Sequence, residues 1–176
     1  MTRIKICGIT RPEDAAMAAA LGADAVGLVF YPPSSRAVGI DRARSIVRAL
    51  PPFVSAVGLF LDADQQWVSE VAGSVALDLL QFHGNESPAF CSAFARPYLK
   101  AVGMGSEVDW DDISRAWPDA RGILVDSHAA GEAGGTGEAF AWERLPSTRD
   151  FPLVLAGGLS PENVHDAIRI VRPAAV

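Results

Sequence analysis

Two side chains that can exchange protons with a substrate stand where predicted strands end. Cys7 follows the apolar run 4–6 and precedes Gly8, and Asp126 follows the apolar run 122–125. A carboxylate loses hydration at the end of an apolar run, and no helix begins directly after Asp126, so a functional role is favoured. Cys7 has an alternative interpretation as a small buried hydrophobic residue. The glycine and loop that follow it favour function.

Further polar side chains lie at the ends of neighbouring runs. Gln81 and His83 end the fourth run, and Arg36 lies in the loop after the second. His83 is either a hydrogen-bonded residue at the edge of the core or a site residue, and a single loop arginine is commonly solvated. Asp62, after the third run, is predicted to cap the next helix. Ligands of parallel α/β folds bind where strands end, so we expect these side chains at one rim.

The stretch LAGGLSPENV, residues 155–164, is typical of an anion site. Gly157 and Gly158 let an anion approach the backbone, and the predicted helix from Ser160 would direct free N–H groups at it. Paired glycines also occur in plain turns, so that alternative stays open. A second glycine-rich stretch at 134–137 is either a flexible lid or another anion site. The three histidines share no metal-ligand spacing.

The elements that position these residues alternate between strand and helix. Seven continuous apolar runs predict strands buried on both faces, and an eighth begins at residue 174. Helical spacing follows at 43–50 and 164–171, with a predicted capping box at Thr10 and Glu13. Ser87 and Ser160 are each predicted caps before a proline. The seven runs are residues 4–6, 25–30, 54–60, 77–82, 98–102, 122–125 and 153–156.

This alternation predicts a parallel sheet with helical crossovers. An open doubly wound sheet and a closed (β/α)₈ barrel both remain possible, and 176 residues is short for a barrel. No linker or composition shift divides residues 1–176, so we expect one domain.

The composition and net charge of the chain limit the classes of partner that it is expected to bind. Hydrophobic residues make up 49% of the chain, and 15 basic against 21 acidic residues give a net charge of −6. That charge argues against nucleic acid or an anionic membrane as the partner, but allows a small anionic ligand in a locally positive pocket. We expect a cytoplasmic protein, because no leader precedes the first run and the two distant cysteines form no disulfide framework.

The strand-end motifs, taken in order, resemble those of the phosphoribosylanthranilate isomerase family of tryptophan biosynthesis. The motifs are KICGIT, GLVFYPPSSR, GLF, LLQFHGNE, LVDS, GGTGEAFAW and LAGGLSPENV. The resemblance implies a (β/α)₈ barrel. It also implies a cofactor-free Amadori rearrangement of N-(5-phosphoribosyl)anthranilate to 1-(2-carboxyphenylamino)-1-deoxyribulose 5-phosphate.

The same resemblance implies roles for the site residues. Cys7 matches the general base and Asp126 the general acid, and strands 1 and 6 would hold them on different sides of a barrel mouth. Arg36 would bind the anthranilate carboxylate, because a guanidinium fits its two oxygens. Gly157 and Gly158 would hold the phosphate, and His83 would contribute to substrate binding.

The C-terminal end departs from the family pattern. The chain stops at Val176, where family members continue through strand 8 and a helix, so we expect a barrel that lacks most of its eighth unit. The phosphate site would then lack its second loop, and the natural protein is expected to be longer. Alternatives are another sugar-phosphate barrel or an inactive truncated barrel. We expect the partner to be a small phosphorylated substrate and the chain to be a monomer or a homodimer.

Overall fold

Strands and helices alternate along the chain. The structure, a computed structural model, describes residues 1–105, 107–127, 140–146 and 148–176. The strands are β1 Lys5–Cys7, β2 Ala25–Val29, β3 Ser55–Phe60, β4 Leu79–Phe82, β5 Tyr98–Gly103, β6 Gly122–Asp126 and β7 Leu153–Leu155. The helices are α1 Pro12–Ala20, α2 Ile40–Arg48, α3 Gln65–Ser74, α4 Pro88–Ser92, α5 Trp110–Ala116 and α6 Val164–Val171, with a 3₁₀ turn at Trp142–Arg144.

The seven strands form one parallel sheet in chain order, β1 to β7. Residues 174–176 then lie between the two outer strands. Ala175 O accepts a hydrogen bond from Leu155 N of β7 at 2.9 Å, and Val176 O accepts one from Lys5 N of β1 at 2.8 Å. The first residues of an eighth strand therefore join β7 to β1 and close the sheet. The fold is a barrel and not an open sheet.

Alternate residues of each strand face the barrel interior or the surrounding helices. A small interior cluster is formed by Leu99, Ala101, Leu124 and Val154, which belong to β5, β6 and β7. Larger clusters fill the space between the sheet and the helices. Ile4 and Ile6, on the outer side of β1, are 42% and 41% exposed. This interior packing holds the ends of the strands in position, and the side chains at the barrel mouth are positioned by those ends.

The helix faces follow the predicted apolar spacing. Ala43 and Ile46 of α2 are fully buried, as is Ala167 of α6, because each lies on the side that packs against the sheet. Of the helices in the described residues, none combines the length and apolar character required to traverse a bilayer.

Three of the predicted helix starts are wrong, those of α1 and α6 and that of α3, which Asp64 caps in place of Asp62. The residue that precedes α1 is Arg11, whose side chain binds Asp14 and caps nothing, so the box at Thr10 and Glu13 does not form. Helix α6 begins at Val164, not after Ser160. Ser87 does cap α4, since its hydroxyl accepts from Phe90 N at 3.3 Å.

Candidate active site

A cavity of about 390 Å³ opens at the carboxyl ends of the strands, a volume within the usual range for a small-molecule site. Its wall combines apolar strand residues with a few polar side chains. The six residues to which the family resemblance gives roles all line it, as does Gln81, whereas Asp62 does not. The six are Cys7, Arg36, His83, Asp126, Gly157 and Gly158.

Cys7 reaches the cavity because the chain turns immediately after β1. Gly8 adopts a positive φ of 88°, and its amide donates to Gly27 O at 2.9 Å. Gly27 is the residue that pairs with Cys7 across the sheet. A Cβ at Gly27 would lie 2.7 Å from Cys7 Sγ, so the missing side chain provides the space that the thiol occupies. Cys7 is partly exposed and is not a core residue.

Asp126 ends β6 with its carboxylate beside the His83 ring. The distance from His83 Nε2 to Asp126 Oδ2 is 3.6 Å, and the two side chains are 11% and 14% exposed. Burial lowers the pKa of His83, and the neighbouring Asp126 carboxylate offsets that shift only in part. His83 is therefore a neutral imidazole at neutral pH.

The tautomer of that imidazole follows from its two neighbours, the Asp126 carboxylate beside Nε2 and the Gln81 amide beside Nδ1. The Gln81 side chain is fully buried, and its Nε2 lies 3.0 Å from His83 Nδ1. An amide nitrogen only donates, so Nδ1 accepts and the ring carries its hydrogen on Nε2. That N–H faces Asp126 and the cavity, where it can orient a carboxyl group or a substrate oxygen.

Arg36 lies above the turn after β1. Its Nη1 donates to Cys7 O at 3.4 Å, and a Cβ at Gly8 would come within 2.7 Å of the same nitrogen. The arginine is exposed to solvent on its other side. A planar cation at the cavity rim suits a carboxylate on an incoming ligand.

Gly157 and Gly158 have φ values of 79° and 64°, a conformation that favours glycine. A Cβ at Gly157 would collide with the backbone nitrogen of Ser127, so the loop after β7 packs directly against the end of β6. Asn163 braces this loop, because its Nδ2 donates to Gly158 O at 2.8 Å and its Oδ1 accepts from Ser160 N at 2.8 Å.

The anion site therefore differs from the prediction in one respect. A turn at residues 161–163 separates the glycines from α6, so the amides that follow Gly158 belong to a loop and not to a helix. The second glycine-rich stretch, at 134–137, lies outside the described residues.

A buried ion pair supports the loop after β4, and no local sequence pattern predicts it. Lys100 Nζ on β5 lies 3.0 Å from Glu86 Oε2, and the residues are 3% and 8% exposed. Glu86 also accepts from Gly84 N at 2.9 Å and from Asp62 N at 3.0 Å. The pair thus ties together the loops after β3 and β4, directly beside His83.

Asp62 does not cap α3, contrary to prediction. Asp64 is the cap, with its carboxylate 2.8 Å from Trp67 N. Asp62 instead accepts from Asn85 N at 2.6 Å and so adds a second link between the two loops.

The sequence reasoning also missed Lys5, which lines the cavity two residues before Cys7. The signal was present in the spacing, because residues i and i+2 of a strand share a face. No cluster of three or more His, Cys, Asp or Glu side chains able to hold a metal occurs within 1–105, 107–127, 140–146 and 148–176.

Comparisons with known proteins show the family to which the chain belongs. The family model described as N-(5'-phosphoribosyl)anthranilate (PRA) isomerase matches residues 4–176. The N-(5'-phosphoribosyl)anthranilate isomerase of Pseudomonas aeruginosa is 56% identical over 174 residues, which are 99% of this chain and 82% of the relative. The chain belongs to the phosphoribosylanthranilate isomerase family.

Solved structures of the family share the fold. The enzyme from Thermotoga maritima superposes with a TM-score of 0.83 at 42% identity, covering 100% of this chain and 86% of that one. A further phosphoribosylanthranilate isomerase, in complex with reduced 1-(o-carboxyphenylamino)-1-deoxyribulose 5-phosphate, gives a TM-score of 0.80 at 40% identity and covers the same shares of both chains.

Proposed function

We propose that this chain catalyses the Amadori rearrangement of N-(5-phosphoribosyl)anthranilate to 1-(2-carboxyphenylamino)-1-deoxyribulose 5-phosphate in tryptophan biosynthesis. One observation carries the proposal: a single cavity brings together a thiol on β1 and a carboxyl group on β6. These are two groups of the kind that a proton-transfer isomerisation needs. The ligand bound by the 40% identical relative, a reduced carboxyphenylamino-deoxyribulose phosphate, supports the choice of substrate.

In the first step, the Asp126 carboxyl group protonates the ring oxygen of the ribosylamine. The C1–O bond breaks, and the nitrogen lone pair forms a C1=N double bond, which leaves a protonated imine and an Asp126 carboxylate. The His83 Nε2–H beside Asp126 Oδ2 can then donate to this carboxylate and hold it in place.

In the second step, the Cys7 thiolate removes the proton on C2. The electrons of the C–H bond form C1=C2, and the imine electrons return to nitrogen, so an enolamine results and the sulfur becomes a thiol. Tautomerisation of the enolamine to the ketone completes an isomerisation in which no electrons leave the substrate. The protein contributes two positioned proton-transfer groups, each worth typically ~10²–10⁴-fold in rate.

Binding of the two substrate anions is assigned to two different loops of the cavity. We assign the anthranilate carboxylate to the Arg36 guanidinium, which already lies over the turn after Cys7. The phosphate is assigned to Gly157 and Gly158, whose backbone lines the cavity in the loop after β7. His83 lines the same cavity and is assigned to substrate binding beside Asp126.

Within this proposal the partner is a small phosphorylated molecule and the working compartment is the cytoplasm, with the chain acting as a monomer or homodimer. The test is product formation from freshly made N-(5-phosphoribosyl)anthranilate, followed by the change in fluorescence as the substrate is consumed. Turnover without added cofactor supports the proposal. Binding of a product analogue without turnover would instead favour a catalytically inactive sugar-phosphate-binding barrel.

A further inference from the structure

The Lys5 ammonium enters the cavity beside the Cys7 thiol, and the mechanism above gives it no role. Both side chains lie on the same face of β1 and line the same cavity. A Cβ at Gly27 would lie 3.0 Å from Lys5 Nζ and 2.7 Å from Cys7 Sγ. The two atoms are therefore less than about 6 Å apart, the range in which an opposite charge favours the ionised form of its neighbour.

The chain has two lysines, and they differ in their surroundings. Lys100 is paired with the Glu86 carboxylate at 3.0 Å. Among the residues that the structure describes, the Lys5 ammonium has no carboxylate partner within ion-pair distance and no side-chain hydrogen bond. A partly buried cation that points into a cavity without a fixed anion is suited to an anion that forms there during the reaction.

We infer that Lys5 is the counterion of the Cys7 thiolate and holds the base in its ionised form. The inference rests on the proposed function, because it takes Cys7 as the group that removes the C2 proton. Lys5 is a positioning residue that acts through the thiol: the sulfur gains the proton, the C–H electrons stay with the substrate, and the ammonium keeps its three protons throughout.

Other charged groups around the cavity are less suited to this role. Arg36 donates to the carbonyl oxygen of Cys7, not to its sulfur, and its charge is assigned to the substrate carboxylate. His83 is neutral because burial lowers its pKa. Asp126 carries no positive charge in either protonation state and becomes an anion in the first step, so it cannot be the counterion. The titratable side chains that line the cavity are Lys5, Cys7, Tyr31, Arg36, His83 and Asp126.

Alkylation of Cys7 by iodoacetamide measures the thiolate directly, without any assay of isomerisation. The other thiol does not interfere, because Cys91 is fully buried and burial raises its pKa to about 11. The rate at Cys7 is followed by mass spectrometry as a function of pH, beside N-acetylcysteinamide, which has no carboxylate, as the free thiol. In the wild type we expect the pH at which the alkylation rate is half-maximal to lie about one unit or more below that of the free thiol.

Two substitutions at Lys5 distinguish the effect of its positive charge from the effect of its side-chain packing. Lys5→Met is expected to raise the pH of half-maximal alkylation by about one unit, whereas Lys5→Arg keeps the charge and stays near the wild type. Arg3→Met is the matched control. It removes a positive charge two residues earlier, from a side chain that is 74% exposed and bound to Asp24, and it is expected to change nothing at Cys7.

The isomerase rate provides a second measurement. Near neutral pH, kcat/KM of Lys5→Met should fall about 10-fold, and it should recover as the pH is raised past about 8.5, where a free thiol ionises unaided. Cys7→Ala should show no such recovery. A merely structural role for Lys5 would lower the rate equally at every pH.

Three results would overturn the inference. The wild-type alkylation profile could coincide with that of N-acetylcysteinamide, a comparison that needs no variant to fold. The profile of Lys5→Met could coincide with the wild type. Arg36→Met could raise the pH of half-maximal alkylation by about one unit while Lys5→Met raises it by less, which would make Arg36 the counterion. A wild type with a shifted profile but no isomerase activity would support the ion pair and refute the proposed function.

Discussion

Gly27→Ala tests whether the Cys7 thiol is the base and lies where the structure places it. The new Cβ would lie 2.7 Å from Cys7 Sγ and 3.1 Å from Cys7 Cα. Non-bonded heavy atoms prefer about 3.5–4.0 Å, so the sulfur must move by about 1 Å. A displacement of that size at a reacting group lowers the rate about 10²-fold, and the overpacking destabilises the fold by roughly 1–3 kcal/mol.

Initial rates with freshly made substrate measure this effect as a fall in kcat with little change in KM, because the groups assigned to the carboxylate and phosphate do not move. Gly73→Ala is the matched control. It lies in α3 with nothing within 4 Å of the added Cβ, and alanine stabilises a helix interior relative to glycine. A folded Gly27→Ala enzyme with kcat within about twofold of wild type would refute the placement of the base.

Three further substitutions probe other parts of the site. Arg36→Met should raise KM about 10- to 150-fold, the loss of roughly 1.5–3 kcal/mol for a charge-assisted hydrogen bond; a substrate without the carboxylate should be handled equally by both enzymes, and continued discrimination by the variant would place the carboxylate elsewhere. Lys100→Met should lower the free energy of unfolding in urea by about 3–5 kcal/mol, because Glu86 stays buried without its cation; the double variant with Glu86→Gln should recover part of the loss, and wild-type stability of the single variant would contradict the account. His83→Gln should flatten the loss of stability on acidification below about pH 6.5, since the folded state holds a neutral ring of lowered pKa while the unfolded state takes up the proton; superimposable pH profiles would show that the ring is not held neutral.

The strands could be predicted because each is a continuous apolar run, and all seven observed strands lie at the predicted places. The barrel mouth could be predicted for the same reason: a residue that ends a parallel strand must lie at the carboxyl edge of the sheet. Cys7 and Asp126 are both found there. The choice between an open sheet and a barrel required either the family resemblance or the hydrogen bonds of residues 174–176.

The remaining errors and omissions have physical causes. Thr10 could not cap α1 because the helix enters through Pro12, so that Arg11 occupies the position before the first helical residue. The start of α6 was placed too early, because Asn163 holds residues 158–163 in a turn by contacts that a cap motif does not show. The Lys100–Glu86 pair joins residues on separate elements, and no local pattern marks it.

The central claim is that Cys7 and Asp126 act as base and acid in one proton-transfer reaction. The most direct measurement is kcat of Cys7→Ala and of Asp126→Asn with freshly made N-(5-phosphoribosyl)anthranilate, with thermal unfolding to confirm that both variants fold. Each substitution removes a proton-transfer group, so kcat should fall by ~10²–10⁴-fold in each variant while the unfolding temperature changes little. A variant that keeps more than about a tenth of the wild-type kcat would contradict the role assigned to the residue it lacks.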